Sequence, residues 1–171
     1  MNSSSKSVIV LAMHGAPAND FPQDDLEEFF NLDRRWERGE LPSEALRRRC
    51  RELERKIRTW PRTAFNDPFF SGSREMAAQL EKTLGREVIL GFNEFCAPSL
   101  EEALNQAAEK SPKVIVVTLM MTRGGDHAER EIPSAIQVAR ENHPTTLFVY
   151  AWPFESKAIA EFLASQIALI K

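Results

Sequence analysis

Cysteine and histidine are scarce in this sequence of 171 residues, which contains two cysteines and three histidines. Cys50 and Cys96 lie far apart and form no C-x-x-C motif. The sequence therefore predicts neither a disulfide framework nor a structural zinc site. The formal net charge is only −3, so the overall charge gives no indication of nucleic-acid binding.

Long apolar runs are also absent. The first apolar run, Val8–Met13, follows a short polar segment and is too short for a signal peptide or a membrane span. We therefore expect a cytoplasmic protein that does not enter a membrane. The composition, with 43% hydrophobic and 27% charged residues, is ordinary for a globular protein with one hydrophobic core. We assign residues 1–171 to a single domain.

Four short apolar runs predict buried parallel strands, because they are nearly continuous and rich in β-branched residues: Val8–Met13, Glu87–Phe92, Val114–Met121 and Thr146–Tyr150. Helical patterns lie between or after them, namely Gly72–Leu84, a helix opening at Pro98–Ser99, Ile132–Arg140 and Phe154–Ile170. This alternation predicts an α/β fold with a doubly wound, mainly parallel four-stranded sheet and helices on both faces. Ligands of such sheets bind beyond the carboxyl ends of the strands.

Local signals predict where two of these helices begin or end. Gly85 is expected to stop the Gly72–Leu84 helix. Ser99 is a candidate N-cap, and Glu102 three residues later completes a capping box.

A long segment between the first strand and the Gly72 helix interrupts the alternation. It predicts a helical insertion at about residues 17–70, with helices at Gln23–Glu37 and Ser43–Thr59. Apolar residues recur in the second helix at steps of three and four, which predicts a narrow packing seam: Leu46, Cys50, Leu53, Ile57 and Trp60.

Three residues with metal-binding side chains follow three different predicted strands. His14 directly follows the first strand and precedes Gly15, which would allow a sharp turn. Glu94 comes just after the second strand, and His127 follows the third within a glycine-rich segment. The first and third strands can be neighbours where the strand order reverses. Two histidines and one carboxylate can hold a divalent first-row metal ion with positions left open.

Each of these residues alone has an ordinary interpretation. A histidine after a strand is more often a hydrogen-bonding loop residue than a ligand, and Glu94 alone would be a solvated carboxylate. Their shared position at strand ends favours a common site. The third histidine, His143, lies near a helix end before Pro144, where we interpret it as a favourable charge at the helix C-terminus and leave it out of the site.

Three motifs together resemble those of the class II tetrapyrrole chelatases, the sirohydrochlorin cobaltochelatase and ferrochelatase family. They are VIVLAMHG at 8–15, GFNEFCAPSLEEAL at 91–104, and GGDH at 124–127 followed by EIP at 131–133. Asp126 makes the third motif one residue longer than the simplest family pattern, and Glu131 stands where aspartate is common. The resemblance covers the sheet and most of the chain after Gly72, whereas the short members of the family lack the helical insertion.

The resemblance implies a flavodoxin-like, chelatase-like fold and a homodimer of two half-chelatases. It also implies insertion of cobalt, iron or nickel into sirohydrochlorin or a related tetrapyrrole, in cobalamin or siroheme biosynthesis. The metal ion and the tetrapyrrole are then substrates, and no organic cofactor is expected.

The resemblance further implies that His14, His127 and Glu94 are both the catalytic and the metal-binding residues. The histidines would bind the metal and accept the pyrrole protons, and Glu94 would act as a ligand or proton acceptor. Neutral imidazole suits this chemistry because its unperturbed pKa is about 6.5. Residues around His127 are expected to contact the substrate: Arg123, Gly124, Gly125 and Arg130.

Two other functions remain open. The same residues could bind a metal or a tetrapyrrole without catalysis. Alternatively, His14 could be the nucleophile of a histidine-dependent phosphohydrolase, although Met13 stands where histidine phosphatases place an arginine.

The second helix of the helical insertion is rich in basic residues: Arg47, Arg48, Arg49, Arg51, Arg55, Lys56 and Arg58. They could capture the carboxylates of a tetrapyrrole, since arginine binds carboxylates through two parallel hydrogen bonds. Glu52 and Glu54 are interleaved with them, however, and mixed charge of this kind is typical of a solvated helix face. We favour the second interpretation.

Overall fold

The computed structural model of the protein describes residues 7–41 and 43–170, apart from the side chain of Glu37. The polar residues 1–6 and the two ends of the predicted domain 1–171 lie outside the described residues. The four strands are β1 Val8–Met13, β2 Val88–Phe92, β3 Lys113–Thr118 and β4 Leu147–Tyr150. All adjacent strands are parallel, in the order β2-β1-β3-β4. The predicted α/β class is confirmed, and the order matches the flavodoxin-like type.

The helices are α1 Gln23–Glu37, α2 Glu44–Arg58, α3 Pro68–Leu84, α4 Leu100–Lys110, α5 Ile132–Asn142 and α6 Ser156–Ala168. A short π-helix, His127–Glu131, runs directly into α5. The capping box at Ser99 and Glu102 forms as predicted, and Gly85 ends α3 in a left-handed conformation with φ of 60°.

The sheet has a hydrophobic core on each face. Strand β1 lies in the middle of the sheet, and all six of its residues are buried. On one face, alternate residues of the strands pack against α4 and α5, where Leu104 and Ile132 are fully buried. On the other face, Leu11 and Phe92 pack with Ala77 of α3. Helices therefore lie on both faces, as the sequence predicts.

The helical insertion forms its own small core. Leu32 of α1 packs with Cys50 and Leu53 of α2, and Phe29, Trp36 and Leu46 close the edges. The first three residues of the predicted seam, Leu46, Cys50 and Leu53, therefore face α1. Burial raises the pKa of the Cys50 thiol, so this cysteine acts as a small apolar side chain in the core.

Several predicted boundaries differ from those in the structure. Strand β3 ends at Thr118 rather than Met121, because the chain turns there and the amide of Met120 donates to Thr118 Oγ1 at 3.2 Å. Helix α3 begins at Pro68 rather than Gly72, since Asp67 caps it by accepting from the amide of Phe70 at 2.8 Å. The predicted Phe154–Ile170 helix is shorter, at Ser156–Ala168.

Helix α6 does not complete the core. None of its residues, all of which the structure describes, is buried, and Ile167 is 68% exposed. Helix α3 covers only part of its face of the sheet. On the rest of that face, Leu147 and Val149 of β4 are exposed. One apolar helix and one apolar strand surface of the same chain therefore remain unpacked. Among the described residues, no helix is both long and apolar enough to cross a membrane.

Candidate metal centre

His14 enters the site directly from the carboxyl end of β1. Gly15 follows it and lies against the loop after β2, where a β-carbon would overlap the carbonyl oxygen of Glu94. The sequence predicts a sharp turn at Gly15, but Gly15 is not among the glycines with positive φ. The physical reason for a glycine here is instead the close approach of two backbone segments.

Glu94 lies in the loop that follows β2. The amide of Asn93 donates to the carbonyl oxygen of Met13 at 2.9 Å, which extends the pairing of β1 with β2 up to the site. The next residue, Phe95, has φ of 54°, a left-handed conformation that is uncommon for a bulky side chain. The loop therefore turns sharply at the residue after the carboxylate.

His127 is the first residue of the π-helix, whereas the sequence pattern predicts an open loop there. The end of β4 holds this segment: Tyr150 Oη donates to the carbonyl oxygen of Ala128 at 3.1 Å. Trp152 Nε1 donates to the carbonyl oxygen of Met120 at 3.1 Å. Burial raises the pKa of Tyr150 to about 12, so its hydroxyl remains a donor at neutral pH. Short π-helices occur frequently at functional sites.

The three predicted residues meet at the switch point between β1 and β3. His14 Nδ1 lies 3.4 Å from Glu94 Oε1, and His127 Nε2 lies 3.8 Å from the same oxygen. The two imidazole rings meet edge to face with centroids 4.2 Å apart. One ligand atom from each of the three residues lies within 4.8 Å of the others. This arrangement can hold one divalent metal ion.

The site is open to solvent. The side chains of His14, Glu94 and His127 are 42%, 35% and 26% exposed. Three protein ligands on one side of an ion leave coordination positions for a substrate or water. An accessible centre of this kind can receive and release a metal ion, which a closed structural site does not do.

Glu131 is a member of the site that the sequence analysis did not assign a role. Its Oε2 lies 2.5 Å from His127 Nδ1. Because a carboxylate can only accept, the hydrogen bond is donated by Nδ1, and Nε2 is the ring nitrogen that faces Glu94 and is placed to bind a metal ion. The sequence signal was the spacing of four residues between His127 and Glu131, which puts both on one side of a helical turn.

The four predicted substrate-contacting residues surround His127 on the surface, and all are exposed. The amide of Gly124 donates to Glu129 Oε1 at 2.9 Å. Arg130 pairs with Asp126 at 2.5 Å. Arg123 precedes Gly124 in the same loop, and Gly125 has open space around its α-carbon. Contact with a substrate remains a prediction for these residues.

His143 lies outside the site. It is the C-cap residue of α5, and its Nε2 lies 3.0 Å from Asn105 Oδ1 of α4. This position at the end of a helix agrees with its omission from the predicted ligands.

Two grooves adjoin the metal centre. One has a volume of about 500 Å³ and is rich in carboxylates: its charged lining residues are Glu54, Arg58, Glu101, Glu102 and Glu131. The other has a volume of about 250 Å³ and includes Glu94 together with three aromatic residues, Phe29, Phe30 and Phe95. Arg58 lines both grooves.

Most of the basic residues of α2 pair with carboxylates. Arg49 contacts Glu28 at 2.6 Å and Asp25 at 3.1 Å, and Lys56 also pairs with Asp25. The hydrogen bond from Arg49 lowers the pKa of Glu28, and the bond from Lys56 lowers the pKa of Asp25. Further pairs lie within α2: Arg48 with Glu52, Arg51 with Glu44 and Arg58 with Glu54. These contacts support the interpretation of α2 as a solvated, charge-paired helix.

A parallel sheet with two histidines and one carboxylate at its switch point defines an α/β protein with a candidate metal centre. The family model described as CbiX matches residues 71–168, which is more than half of the chain. The chain therefore belongs to the CbiX family. The matched segment includes Glu94 and His127, whereas His14 and the helical insertion precede it.

Individual relatives match less of the sequence. The chain is 30% identical over 76 residues to a sirohydrochlorin cobaltochelatase of Methanocaldococcus jannaschii. That match covers 42% of this chain and 53% of the relative, so the chain spans about half the relative's length.

Two solved structures are similar in outline. One, from Marinobacter aquaeolei VT8, is named a cobalamin (vitamin B12) biosynthesis CbiX protein; it is 16% identical, with coverage of 95% and 98% of the two chains and a TM-score of 0.47. The other is the sirohydrochlorin chelatase SirB of Bacillus subtilis subspecies spizizenii in complex with cobalt. It is 14% identical, with coverage of 96% of this chain and 51% of that chain and a TM-score of 0.46.

Proposed function

We propose that the protein is a metal chelatase that inserts a divalent ion, cobalt or iron, into sirohydrochlorin or a related tetrapyrrole. The reaction would belong to cobalamin or siroheme biosynthesis and would take place in the cytoplasm. The observation that carries the proposal is the convergence of His14, His127 and Glu94 in a chain of the CbiX family. The related cobaltochelatase of Methanocaldococcus jannaschii supports the same reaction class.

The donor set suits the metal substrate. Imidazole nitrogens bind cobalt, iron and nickel, and a single carboxylate supplies charge without closing the coordination sphere. Glu131 holds His127 through Nδ1 at 2.5 Å, which fixes the orientation of the ring and directs Nε2 toward the metal site. The carboxylates of the larger groove add a negative potential that favours the approach of a divalent cation.

Metal insertion replaces two pyrrole N–H protons by one M²⁺ ion, so the site must accept two protons. Once the metal has moved from the imidazole nitrogens to the tetrapyrrole, His14 and His127 each have a free lone pair that can take a proton. Glu94, within 3.4 Å of His14 and 3.8 Å of His127, would stabilise the resulting imidazolium charge. Solvent can then remove the protons, because all three side chains are partly exposed.

We also propose that the active form is a homodimer. Helix α6 has an exposed apolar surface that includes Phe162, Leu163 and Ile167, and the sheet surface at Leu147 and Val149 is bare. Exposed apolar patches of this kind mark interaction sites. In the proposed dimer, α6 of one copy packs on the bare sheet surface of the other copy. Both apolar surfaces are then buried.

The test is metal insertion into sirohydrochlorin under anaerobic conditions, followed by absorbance, with Co²⁺, Fe²⁺ and Ni²⁺ in turn. We expect the protein to accelerate the reaction above the spontaneous rate for at least one of these metals. Binding of metal or tetrapyrrole without acceleration would contradict the proposal and indicate a non-catalytic binding protein.

A phosphate-ester assay tests the remaining alternative. The carboxylates of Glu94 and Glu131 lie within 4 Å of the histidines, and like charge would repel a phosphate group from His14. We therefore expect no hydrolysis of a generic phosphate ester.

A further inference from the structure

The loop that carries Glu94 is held by two arginines of the helical insertion. Arg58, the last residue of α2, donates from Nη2 to the carbonyl oxygen of Asn93 at 3.3 Å and from Nη1 to that of Cys96 at 3.1 Å. Arg62 donates from Nη2 to the carbonyl oxygen of Phe95 at 2.6 Å. Backbone oxygens on both sides of Glu94 therefore bind guanidinium groups.

Arg62 also reaches the loop that follows His14. Its Nη1 donates to the carbonyl oxygen of Ala16 at 2.5 Å, two residues beyond the histidine. Its side chain is buried, pairs with the buried carboxylate of Asp67 and donates to the carbonyl oxygen of Ile57 at 3.0 Å. One planar guanidinium thus connects the loops after β1 and β2, and its fork geometry fixes their relative position.

Aromatic contacts act on the same loop. The ring of Phe95 packs against those of Phe29 and Phe30 of α1, with centroids 6.4 Å and 6.0 Å apart. Phe95 has the uncommon φ of 54°. A strained backbone conformation persists only where contacts with the surrounding structure hold the residue in place. The helical insertion supplies those surroundings from both α1 and α2.

We propose that Arg58 and Arg62 are positioning residues that hold Glu94 at coordination distance from His14 and His127. The inference rests on the proposed metal site, and it assigns the helical insertion a role in setting metal affinity. The arginines touch the backbone of the site loops and not the metal. This role differs from capture of substrate carboxylates, because Nε of Arg58 binds Glu54 at 3.0 Å and both of its other nitrogens bind the loop.

The test compares Arg58→Met with Arg49→Met. Both residues lie on α2 and form ion pairs, but Arg49 pairs with Asp25 and Glu28 of α1 rather than with the Glu94 loop. Co²⁺ affinity is measured by calorimetric titration of the purified full chain, and stability is measured by thermal unfolding. We expect Arg58→Met to raise the Kd for Co²⁺ by about 10–100-fold, as loss of an outer-shell partner does. Arg49→Met should leave the Kd unchanged even where it lowers the Tm.

A second variant tests the buried arginine. Arg62→Met alone would leave Asp67 buried without its partner and could unfold the chain. The double variant Arg62→Met/Asp67→Asn removes both charges, and asparagine can still cap α3. We expect its Kd for Co²⁺ to rise by at least as much as in Arg58→Met.

An unchanged Kd in Arg58→Met, or an equal rise in Arg49→Met, would overturn the inference and leave the helical insertion a purely stabilising role. This result is distinct from failure of the proposed function. A wild-type protein that binds Co²⁺ but does not accelerate its insertion into sirohydrochlorin would refute the proposed reaction while the positioning role stood.

Discussion

The α-carbon of Gly15 lies directly against the backbone of Glu94. A β-carbon on Gly15 would overlap the Glu94 carbonyl oxygen and stand 3.2 Å from the amide nitrogen of Cys96. The distance between the histidine after β1 and the carboxylate after β2 therefore depends on the absence of a side chain at this glycine. Hydrogen bonds from Arg58 and Arg62 to the carbonyl oxygens of the Glu94 loop oppose a shift of this loop away from Gly15.

Replacement of Gly15 by alanine should therefore damage both stability and the site. We expect a loss of about 1–3 kcal/mol in the free energy of unfolding, typical of an overpacked contact, together with weaker Co²⁺ binding. The matched control is Gly125→Ala, since Gly125 has open space around its α-carbon and no positive φ. The control should change the stability by less than about 0.5 kcal/mol. Equal behaviour of the two variants in denaturant unfolding would refute this explanation.

Single substitution of either histidine should abolish metal insertion without unfolding the protein. His14→Ala and His127→Ala each remove one of three ligands from a partly exposed site, so the core is untouched. We expect the insertion rate to fall by at least about 100-fold, beyond the effect of losing an outer-shell partner. His143→Ala is the control, because its ring contacts Asn105 outside the site. Full activity in both single variants would show that the two histidines do not share the reaction.

Glu131 should affect metal binding through its hydrogen bond with His127 and not as a metal ligand. Glu131→Gln keeps the size of the side chain but removes the negative charge of the carboxylate. That carboxylate accepts a hydrogen bond from His127 Nδ1 at 2.5 Å. We expect the affinity for Co²⁺ to fall by about 10–100-fold, with little change in Tm. Glu141→Gln provides the same loss of charge on α5, where Glu141 Oε1 accepts from Gln137 Nε2 at 3.0 Å. A Co²⁺ affinity that falls equally in both variants would point to a general charge effect instead.

Metal binding should weaken as the pH is lowered. Histidine ligands bind metal in their neutral form, so protons compete with Co²⁺ for the same lone pairs. A higher proton concentration therefore lowers the affinity for Co²⁺ and slows metal insertion. Calorimetric titrations from pH 5 to 8 in buffers of constant ionic strength test this expectation. An affinity that does not change over that range would argue against histidine ligands.

Disruption of the apolar surface of α6 should produce monomers that remain folded. Phe162→Glu and Ile167→Glu place charge on a helix that has no buried residue within its own chain, so each subunit should remain folded, with a Tm lowered only by the loss of the dimer contacts. We expect the wild type to sediment as a dimer at micromolar concentration and the double variant as a monomer with reduced insertion activity. Gln166→Glu, at a polar position of the same helix, should remain dimeric. A wild-type monomer with full activity would disprove the homodimer.

The sequence by itself determined most of the local structure. The bounds of β1 and α1 follow from their apolar patterns, and the capping box at Ser99 and Glu102 forms as its spacing predicts. These features depend on residues that are near neighbours along the chain, so a short window of sequence contains the whole cause. Because ligands of parallel sheets bind at the carboxyl ends of the strands, the sequence also predicts that His14, Glu94 and His127 lie close together, and they do so in the structure.

Only the tertiary structure decided how the site is held. The hydrogen bonds from Arg58 and Arg62 to the Glu94 loop, and the need for glycine at position 15, arise from segments that are distant in sequence. The sequence indicates an apolar face on α6, but it does not show that this face and the surface of β4 stay bare, because the same apolar pattern is typical of a helix packed on its own core. Periodicity reveals which face of an element is apolar, whereas the partner of that face depends on the packing of the whole chain.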